Sequence, residues 1–289
     1  FALRSRLGFE LRDARHVLDK FMTFLDGERA SHITTILALR WATQPVGVSP
    51  ASSCRRFQTI RRFAVWFSNL DPQTEVPPQG LLPYRYHRQR PYIYSPSEIE
   101  QLLQATALLP SPGGFRGCTY STLFGLLAVT GMRVSEALSL DRQDVNLAEG
   151  VLLLRKTKFG KSRLVPLHPS TQAALRRYAH ARDRFLPYRP NPAFFLLERG
   201  TRISKRMAEW TFAKVGRNVG LRPTGKNHSR APRLHDMRHS FVARTLIDWY
   251  RAGLDVEGEI PKLVTYLGHS GVRGTYWYIE AVPELLQLA

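Results

Sequence analysis

Residues 233–239 read Arg233-Leu234-His235-Asp236-Met237-Arg238-His239. On a helix, side chains at positions i and i+3 share a face, so His235 and Arg238 can reach one anionic group together. His239 follows His235 by four residues, a spacing that also occurs in zinc sites. The intervening residues lack the Glu of the metalloprotease motif, and a neighbouring Arg238 cation opposes a metal ion. We therefore predict no metal site here and assign His239 a supporting role.

Two further motifs lie on either side of this stretch. Downstream, Leu267-Gly268-His269 precedes Tyr278, which stands nine residues after the histidine. Upstream, Thr130-Gly131-Met132-Arg133-Val134-Ser135-Glu136 follows an apolar stretch whose predicted helix should end at Gly131 in the left-handed conformation. A second tyrosine, Tyr276, lies two residues before Tyr278, and on a helix this separation turns the two side chains about 200° apart. Only one of them can face the other motifs.

A β-hairpin is predicted between Val151 and Leu167, where two apolar runs flank a turn that contains glycine. The turn carries Lys158, with Lys156 and Lys161 on either side. Because the turn can shift by a residue or two, all three lysines are candidates for a functional cation.

The composition favours an anionic partner. The chain has 289 residues, a formal net charge of +19 and a pI near 10.6. Nucleic acid is the commonest partner of such a chain, although a ribosomal-type or merely basic surface protein has a similar balance. Cys54 and Cys118 are too few for a disulfide framework, which indicates a reducing compartment. With no apolar run of membrane-spanning length, we expect a cytoplasmic, nucleoid-associated protein whose gene product begins before Phe1.

The sequence predicts two domains, residues 1–87 and residues 88–289. The first is helical, and proline-rich residues 71–93 form an extended linker after it. Its clearest helix spans about 51–70 and carries one apolar stripe that should face inward. The stripe consists of Phe57, Ile60, Phe63, Ala64 and Phe67.

Four arginines of this region are predicted to bind DNA. Arg55 and Arg62 lie on the helix face opposite the apolar stripe, and Arg88 and Arg90 lie in the linker. Contacts from such residues to phosphates would position the protein on a duplex. A solvated basic face is an equally good interpretation of the helix alone.

Cleavage of a DNA phosphodiester without metal or water requires three functions. A nucleophile must attack the phosphorus, cations must neutralise the non-bridging oxygens, and the leaving 5′ oxygen needs a proton. A tyrosine can serve as the nucleophile because its phosphate ester conserves the bond energy for rejoining. Arginine can hold two phosphoryl oxygens through paired N–H donors.

Taken together, the motifs resemble the active site of the tyrosine recombinases, the phage-integrase and Xer family, over roughly residues 90–280. The resemblance implies that Arg133 and Arg238 clamp the scissile phosphate and that Tyr278 is the nucleophile. It selects Lys158 as the proton donor to the leaving oxygen. The remaining residues that it assigns are the histidines His235 and His269 and the orienting acid Glu136.

The resemblance also implies a mainly α fold with a small antiparallel β-sheet, arranged as a two-domain clamp on DNA. The implied reaction passes through a 3′-phosphotyrosyl intermediate and a Holliday junction, without a cofactor. Its partners would be double-stranded DNA carrying a specific site, three further protomers in a tetramer on two duplexes, and possible accessory proteins. A mobile-element origin and a C-terminal tail over residues 281–288 that packs on a neighbour or on its own domain are further expectations.

Three alternatives remain open at the level of the sequence. A type IB topoisomerase would use the same chemistry on one duplex. A DNA-binding factor without catalysis would retain the charge but not the reaction. A metal-dependent nuclease could use His235 and His239.

Overall fold

The computed structural model describes Arg6 and residues 11–82, 90–155, 162–188, 191–222, 231–268 and 271–288. The chain divides into two compact units, residues 1–89 and residues 90–289. The predicted domain boundary between residues 87 and 88 lies outside the described residues.

The first unit contains the helices α1 (Arg12–Gly27), α2 (Thr35–Thr43) and α3 (Pro50–Phe67). Helix α3 begins where the Ser49 side chain accepts a hydrogen bond from the Ser52 backbone N–H, with Pro50 at its first position. Both features are favourable at a helix N-terminus, because they satisfy or remove donors that the helix leaves unpaired.

The predicted apolar stripe of α3 faces inward, as expected. Phe57, Ile60 and Ala64 are buried with Phe21 and Trp41. The other two members of the stripe, Phe63 and Phe67, are partly buried and pack against the same core.

The second unit is mainly helical. Its helices are α4 (Pro96–Ala107), α5 (Phe115–Thr130), α6 (Val134–Ser139), α7 (Pro169–Phe185), α8 (Lys205–Asn218), α9 (Asp236–Arg251), α10 (Val256–Leu267), α11 (Arg273–Ala281) and α12 (Pro283–Leu288).

A small antiparallel sheet completes this unit, so the predicted fold class is confirmed. Its strands are β1 (Val145–Asn146), β2 (Val151–Leu154) and β3 (Arg163–Pro166), in that spatial order. The predicted hairpin is confirmed by the pairing of β2 with β3, in which Leu152 faces Val165. The turn between them lies outside the described residues, and so do Lys156, Lys158 and Lys161.

Helix α5 is the centre of the main core. It packs against α4, α7 and α9. Because it has neighbours on several sides, it is apolar nearly all round rather than amphipathic. A second core joins α9, α10, α11 and α12, and its fully buried members include Val242, Leu246, Ile260, Leu267 and Leu285.

Helix α5 ends at Gly131, as the sequence predicted. Gly131 has φ 59° and ψ 14°, and its N–H donates to the Leu127 carbonyl. A Cβ at this position would lie 2.4 Å from Cδ1 of Phe241 on α9. The glycine therefore permits both the left-handed turn and the close approach of the Thr130–Glu136 segment to α9.

No helix in the described ranges is both long enough and apolar enough to cross a membrane.

We expect Gly131→Ala to lower the free energy of unfolding by about 2 kcal/mol or more, because alanine is strained at positive φ and Phe241 must shift. Gly125→Ala in the same helix is the matched control. A Cβ there meets nothing closer than 3.8 Å, so alanine should stabilise the helix by roughly 0.5–1 kcal/mol. Urea denaturation of both variants measures the difference, and equal stabilities would contradict this account of Gly131.

Candidate active site

The carboxyl end of α10 is the point where the site residues meet. The helix ends at Gly268, which is left-handed with φ 63°. The last carbonyls of a helix lack intrahelical partners and carry the negative end of the helix dipole. Three successive carbonyls here accept hydrogen bonds from three arginines. Tyr266 O accepts from Arg163 Nε at 2.7 Å, Leu267 O from Arg238 Nη2 at 2.9 Å, and Gly268 O from Arg133 Nη2 at 2.9 Å.

Glu136 connects two of these arginines. Arg133 donates to it through its backbone N–H at 2.8 Å and through Nη1 at 2.7 Å. Arg163 donates to both carboxylate oxygens of Glu136, from Nη1 to Oε1 at 3.0 Å and from Nη2 to Oε2 at 2.8 Å. Burial alone would raise the pKa of Glu136, but these hydrogen bonds and charges outweigh it and hold the pKa below its usual value.

Arg238 lies on the first turn of α9 and is only 3% exposed. Besides Leu267 O, it donates from Nη1 to the Gly131 carbonyl at 2.8 Å. Burial, followed by the charge of Arg133, lowers the pKa of Arg238 to about 10. The guanidinium therefore remains charged at neutral pH, and its sensitivity to Arg133 shows that the two cations lie within electrostatic reach.

His235 stands at the N-terminus of α9 with an exposed side chain. The protein around it nevertheless desolvates the imidazolium. This desolvation, followed by the charge of Arg238, lowers the pKa of His235. The neutral imidazole, which can donate or accept one hydrogen bond at each nitrogen, is therefore favoured near neutral pH.

His239 lies beside the predicted nucleophile. Its Nδ1 is 2.5 Å from the hydroxyl of Tyr278, and the phenol O–H donates when this nitrogen carries no proton. The Nε2 of His239 is 4.0 Å from Oδ1 of Asp236. Asp236 is buried and is itself fixed by the backbone N–H of Arg233 at 2.8 Å. Sequence reasoning assigned His239 a supporting role but did not foresee this contact.

The two tyrosines of α11 have different surroundings. Tyr278 is 1% exposed and belongs to the second core, whereas Tyr276 is 38% exposed. The Tyr278 hydroxyl contacts His239, the residue that follows Arg238 on α9. Tyr278 is thus the tyrosine on the side of the arginines, and its hydroxyl is covered in this conformation.

The structure brings most of the predicted site residues together and leaves others apart. Arg55 and Arg62 are exposed in the first unit, and Arg90 is exposed at the start of the second. Lys158, His269 and Arg88 lie outside the described residues. The predicted residues that meet around the end of α10 and the start of α9 are Arg133, Glu136, His235, Arg238, His239 and Tyr278.

Arg163 was missed by sequence reasoning. Side chains alternate between the two faces of a strand, so Arg163 shares a face with Val165, which is buried. A charged side chain on the inward face of a strand requires a partner of opposite charge or a hydrogen-bond acceptor. The position of an arginine on the buried face of β3 could therefore have identified Arg163 as a site residue.

In the parts of the chain that the structure describes, no group of three or more His, Cys, Asp and Glu side chains is placed to hold a metal ion.

Because folding depresses the pKa of Glu136, this carboxylate contributes stability that is fully present above its ordinary value of 4.5 and is lost as the pH falls through the lower folded pKa. Glu136→Gln should be less stable than the wild type at neutral pH, and its stability should fall less on acidification below 4.5. Urea denaturation across this range measures both effects. Parallel pH dependences in the two proteins would show that Glu136 is not held as an anion by the arginines.

Residues 94–284 match the phage integrase family. A putative integrase/recombinase, y4rB of Sinorhizobium fredii, is 43% identical and covers 99% of this chain and 92% of its own length. The tyrosine recombinase XerD of Caulobacter vibrioides is 27% identical and covers 96% of this chain and 86% of its own.

Among solved structures, the Tn1549 transposon integrase in complex with transposon right end DNA is similar in fold, with a TM-score of 0.67 and 16% identity. The match covers 96% of this chain and 91% of that one. The family match spans more than half of the chain, and the similarity to y4rB runs along nearly all of it. This chain therefore belongs to the phage integrase family, the tyrosine recombinases.

Proposed function

We propose that this protein is a site-specific recombinase that cuts double-stranded DNA with Tyr278 and rejoins it to a second duplex. The observation that carries the proposal is the placement of the Tyr278 hydroxyl, which lies 2.5 Å from Nδ1 of His239. His239 follows Arg238 directly on α9. The proposed nucleophile Tyr278, the proposed phosphate-binding Arg238 and two histidines therefore lie close to the N-terminal end of α9.

Arg133 and Arg238 are proposed to neutralise the scissile phosphate. A guanidinium has five N–H donors, and each of these two arginines commits two donors of its guanidinium to protein oxygens. The remaining donors can bind the non-bridging oxygens, on which charge accumulates in the transition state. Because both guanidiniums are fixed before DNA arrives, little reorganisation opposes the reaction.

In the proposed cleavage step, the Tyr278 oxygen forms a bond to phosphorus while the bond from phosphorus to the 5′ oxygen breaks. The phenol proton passes to a neutral histidine of the site, and the 5′ oxygen takes up a proton from Lys158, the residue to which the family resemblance assigns this role. The product is a 3′-phosphotyrosyl ester, and attack by a 5′ hydroxyl reverses the step without an external energy source. His235 and His269 are proposed to hydrogen bond to the phosphate as it reacts.

The burial of Tyr278 adds a requirement to this mechanism. A phosphate cannot contact a hydroxyl on a side chain that is 1% exposed, so α11 must shift before cleavage. We propose that binding of the DNA site, or of a further protomer, produces this shift and thereby restricts cleavage to assembled complexes.

The proposed partners are two duplexes with specific sites and four protomers, with accessory proteins where the natural event needs them. The DNA part of this proposal is supported by a protein of similar fold. One solved structure of similar fold is a lambda integrase dimer bound to a COC′ core site, with a TM-score of 0.64. Exchange between two duplexes also distinguishes a recombinase from an enzyme that relaxes a single duplex.

Covalent trapping on a nicked suicide substrate that carries the cognate site tests the nucleophile. We expect wild type and Tyr276→Phe to form a protein–DNA adduct that survives denaturation in EDTA, and Tyr278→Phe to bind the DNA without forming one. Tyr276→Phe is the matched control because it removes the same hydroxyl two residues away. An adduct with Tyr278→Phe would refute the assignment. Products that join two marked duplexes would establish recombination, and relaxed circles without joined products would point to topoisomerase activity.

The proposed phosphate contacts of Arg55 and Arg62 predict a change in salt dependence. Each neutralised phosphate contributes about 0.9 to the slope of log K against log salt concentration, because its counterions are released. The double variant Arg55→Ala, Arg62→Ala should therefore reduce the slope by about 2. Arg40→Ala is the control, since this arginine is paired with Glu28. Filter-binding titrations at several salt concentrations measure the slope, and an unchanged slope in the double variant would remove both residues from the DNA interface.

A further inference from the structure

We infer that Arg163 is a positioning residue for DNA cleavage: it occupies the Glu136 carboxylate so that Arg133 keeps donors free for the scissile phosphate. The inference rests on the proposed role of Arg133. It starts from the contacts of Arg163, whose side chain is 11% exposed. All three nitrogens of its guanidinium donate to the protein, one to the Tyr266 carbonyl and two to Glu136.

The geometry at Glu136 is unequal between the two arginines. Arg163 makes the paired, two-oxygen contact, whereas the Arg133 guanidinium makes a single bond through Nη1. A contact in which two N–H groups of an arginine donate to the two oxygens of a carboxylate is stronger than a single hydrogen bond. A carboxylate that has no other partner readily adopts it. Without Arg163, both oxygens of Glu136 would be available to Arg133. A second guanidinium donor of Arg133 would then turn to Glu136, its charge would be neutralised more fully, and fewer of its donors would remain for the DNA.

Arg163 also fixes the other partner of Arg133. The Gly268 carbonyl, which accepts from Arg133 Nη2, belongs to a residue against which Arg163 packs. A Cβ on Gly268 would lie only 2.7 Å from Arg163 Nη1. Together with the bond to Tyr266 O, this packing ties strand β3 to the end of α10. Arg163 thus holds both groups that orient Arg133.

A lysine cannot replace these contacts. Its ammonium is a point charge and cannot satisfy two carboxylate oxygens and a carbonyl in one plane. Arg163→Lys keeps the charge beside Glu136 but loses the paired geometry, so it separates an effect of charge from an effect of position.

The experiment compares Arg163→Gln and Arg163→Lys with the reference Arg133→Ala and the control Arg142→Gln, an exposed arginine paired with Asp183. Single-turnover cleavage of the suicide substrate is measured at saturating DNA, and the dissociation constant is measured separately. We expect Arg163→Gln to slow cleavage by about 10- to 100-fold, which is at or below the loss of rate on removing one donor that acts directly on the transition state. The affinity for DNA should stay within about twofold of the wild-type value. Arg163→Lys should recover only part of the rate, and Arg142→Gln should cleave at the wild-type rate.

A second measurement distinguishes positioning from a merely structural role. In the Glu136→Gln background, where no carboxylate can capture Arg133, Arg163→Gln should cost much less than it does in the wild type. A substrate with a neutral methylphosphonate at the scissile position needs less cationic neutralisation. On it, the deficits of Arg133→Ala and Arg163→Gln should both shrink, whereas a loss of folding would persist on either substrate.

The outcomes separate this inference from the proposed function. Wild-type cleavage by Arg133→Ala would overturn the proposed clamp itself. Slow cleavage by Arg133→Ala with wild-type cleavage by Arg163→Gln would overturn the inference alone. If the Arg163→Gln deficit shrinks on methylphosphonate but is undiminished in the Glu136→Gln background, Arg163 contacts the phosphate directly and is not a positioning residue. Should Arg163→Gln fail to fold, wild-type cleavage by Arg163→Lys would contradict the need for paired geometry.

Discussion

The site depends on the carboxyl end of α10, where three successive carbonyls bind three guanidiniums. A helix C-terminus has free acceptors and a partial negative charge, so it can gather cations that would otherwise repel one another. A single carboxylate, Glu136, neutralises one positive charge and leaves a net positive cluster. This arrangement suits a phosphate, which supplies the missing negative charge. It also explains why α10 ends at a left-handed glycine, because Arg163 leaves no space for a side chain at Gly268.

The proposed nucleophile, Tyr278, is placed by a different constraint, which is the packing of α11 on the second core. Tyr278 is covered and bound to His239, so its reactive atom is protected from solvent and from unspecific phosphates. Uncovering one aromatic side chain and breaking one hydrogen bond costs about 3 kcal/mol. Specific DNA binding typically supplies about 11–15 kcal/mol, so a small part of it suffices to drive the change.

Features governed by local chemistry were predictable from the sequence. The end of α5 at Gly131, the Phe stripe of α3 and the β2–β3 pairing follow from glycine conformation, helical periodicity and alternation around a turn. The resemblance also selected five of the six residues that the structure brings together, and the four-residue spacing from His235 drew attention to the sixth, His239. What the sequence could not show were contacts between distant segments. Arg163 meets Glu136 across 27 positions, and His239 meets Tyr278 across 39, so neither pair leaves a periodic signal.

The unequal sharing of Glu136 gives a physical reason for a third arginine in this site. Two arginines and one carboxylate in a half-buried site would form a tight pair and a lone cation, and the pair would bind phosphate poorly. A further arginine on β3 takes over the carboxylate, while the helix end holds all three guanidiniums in place. This concentration of positive charge is unfavourable: burial first, and then the charge of Arg133, lowers the pKa of Arg238. Because a bound phosphate removes that repulsion, the charge that destabilises the free site favours the DNA-bound one.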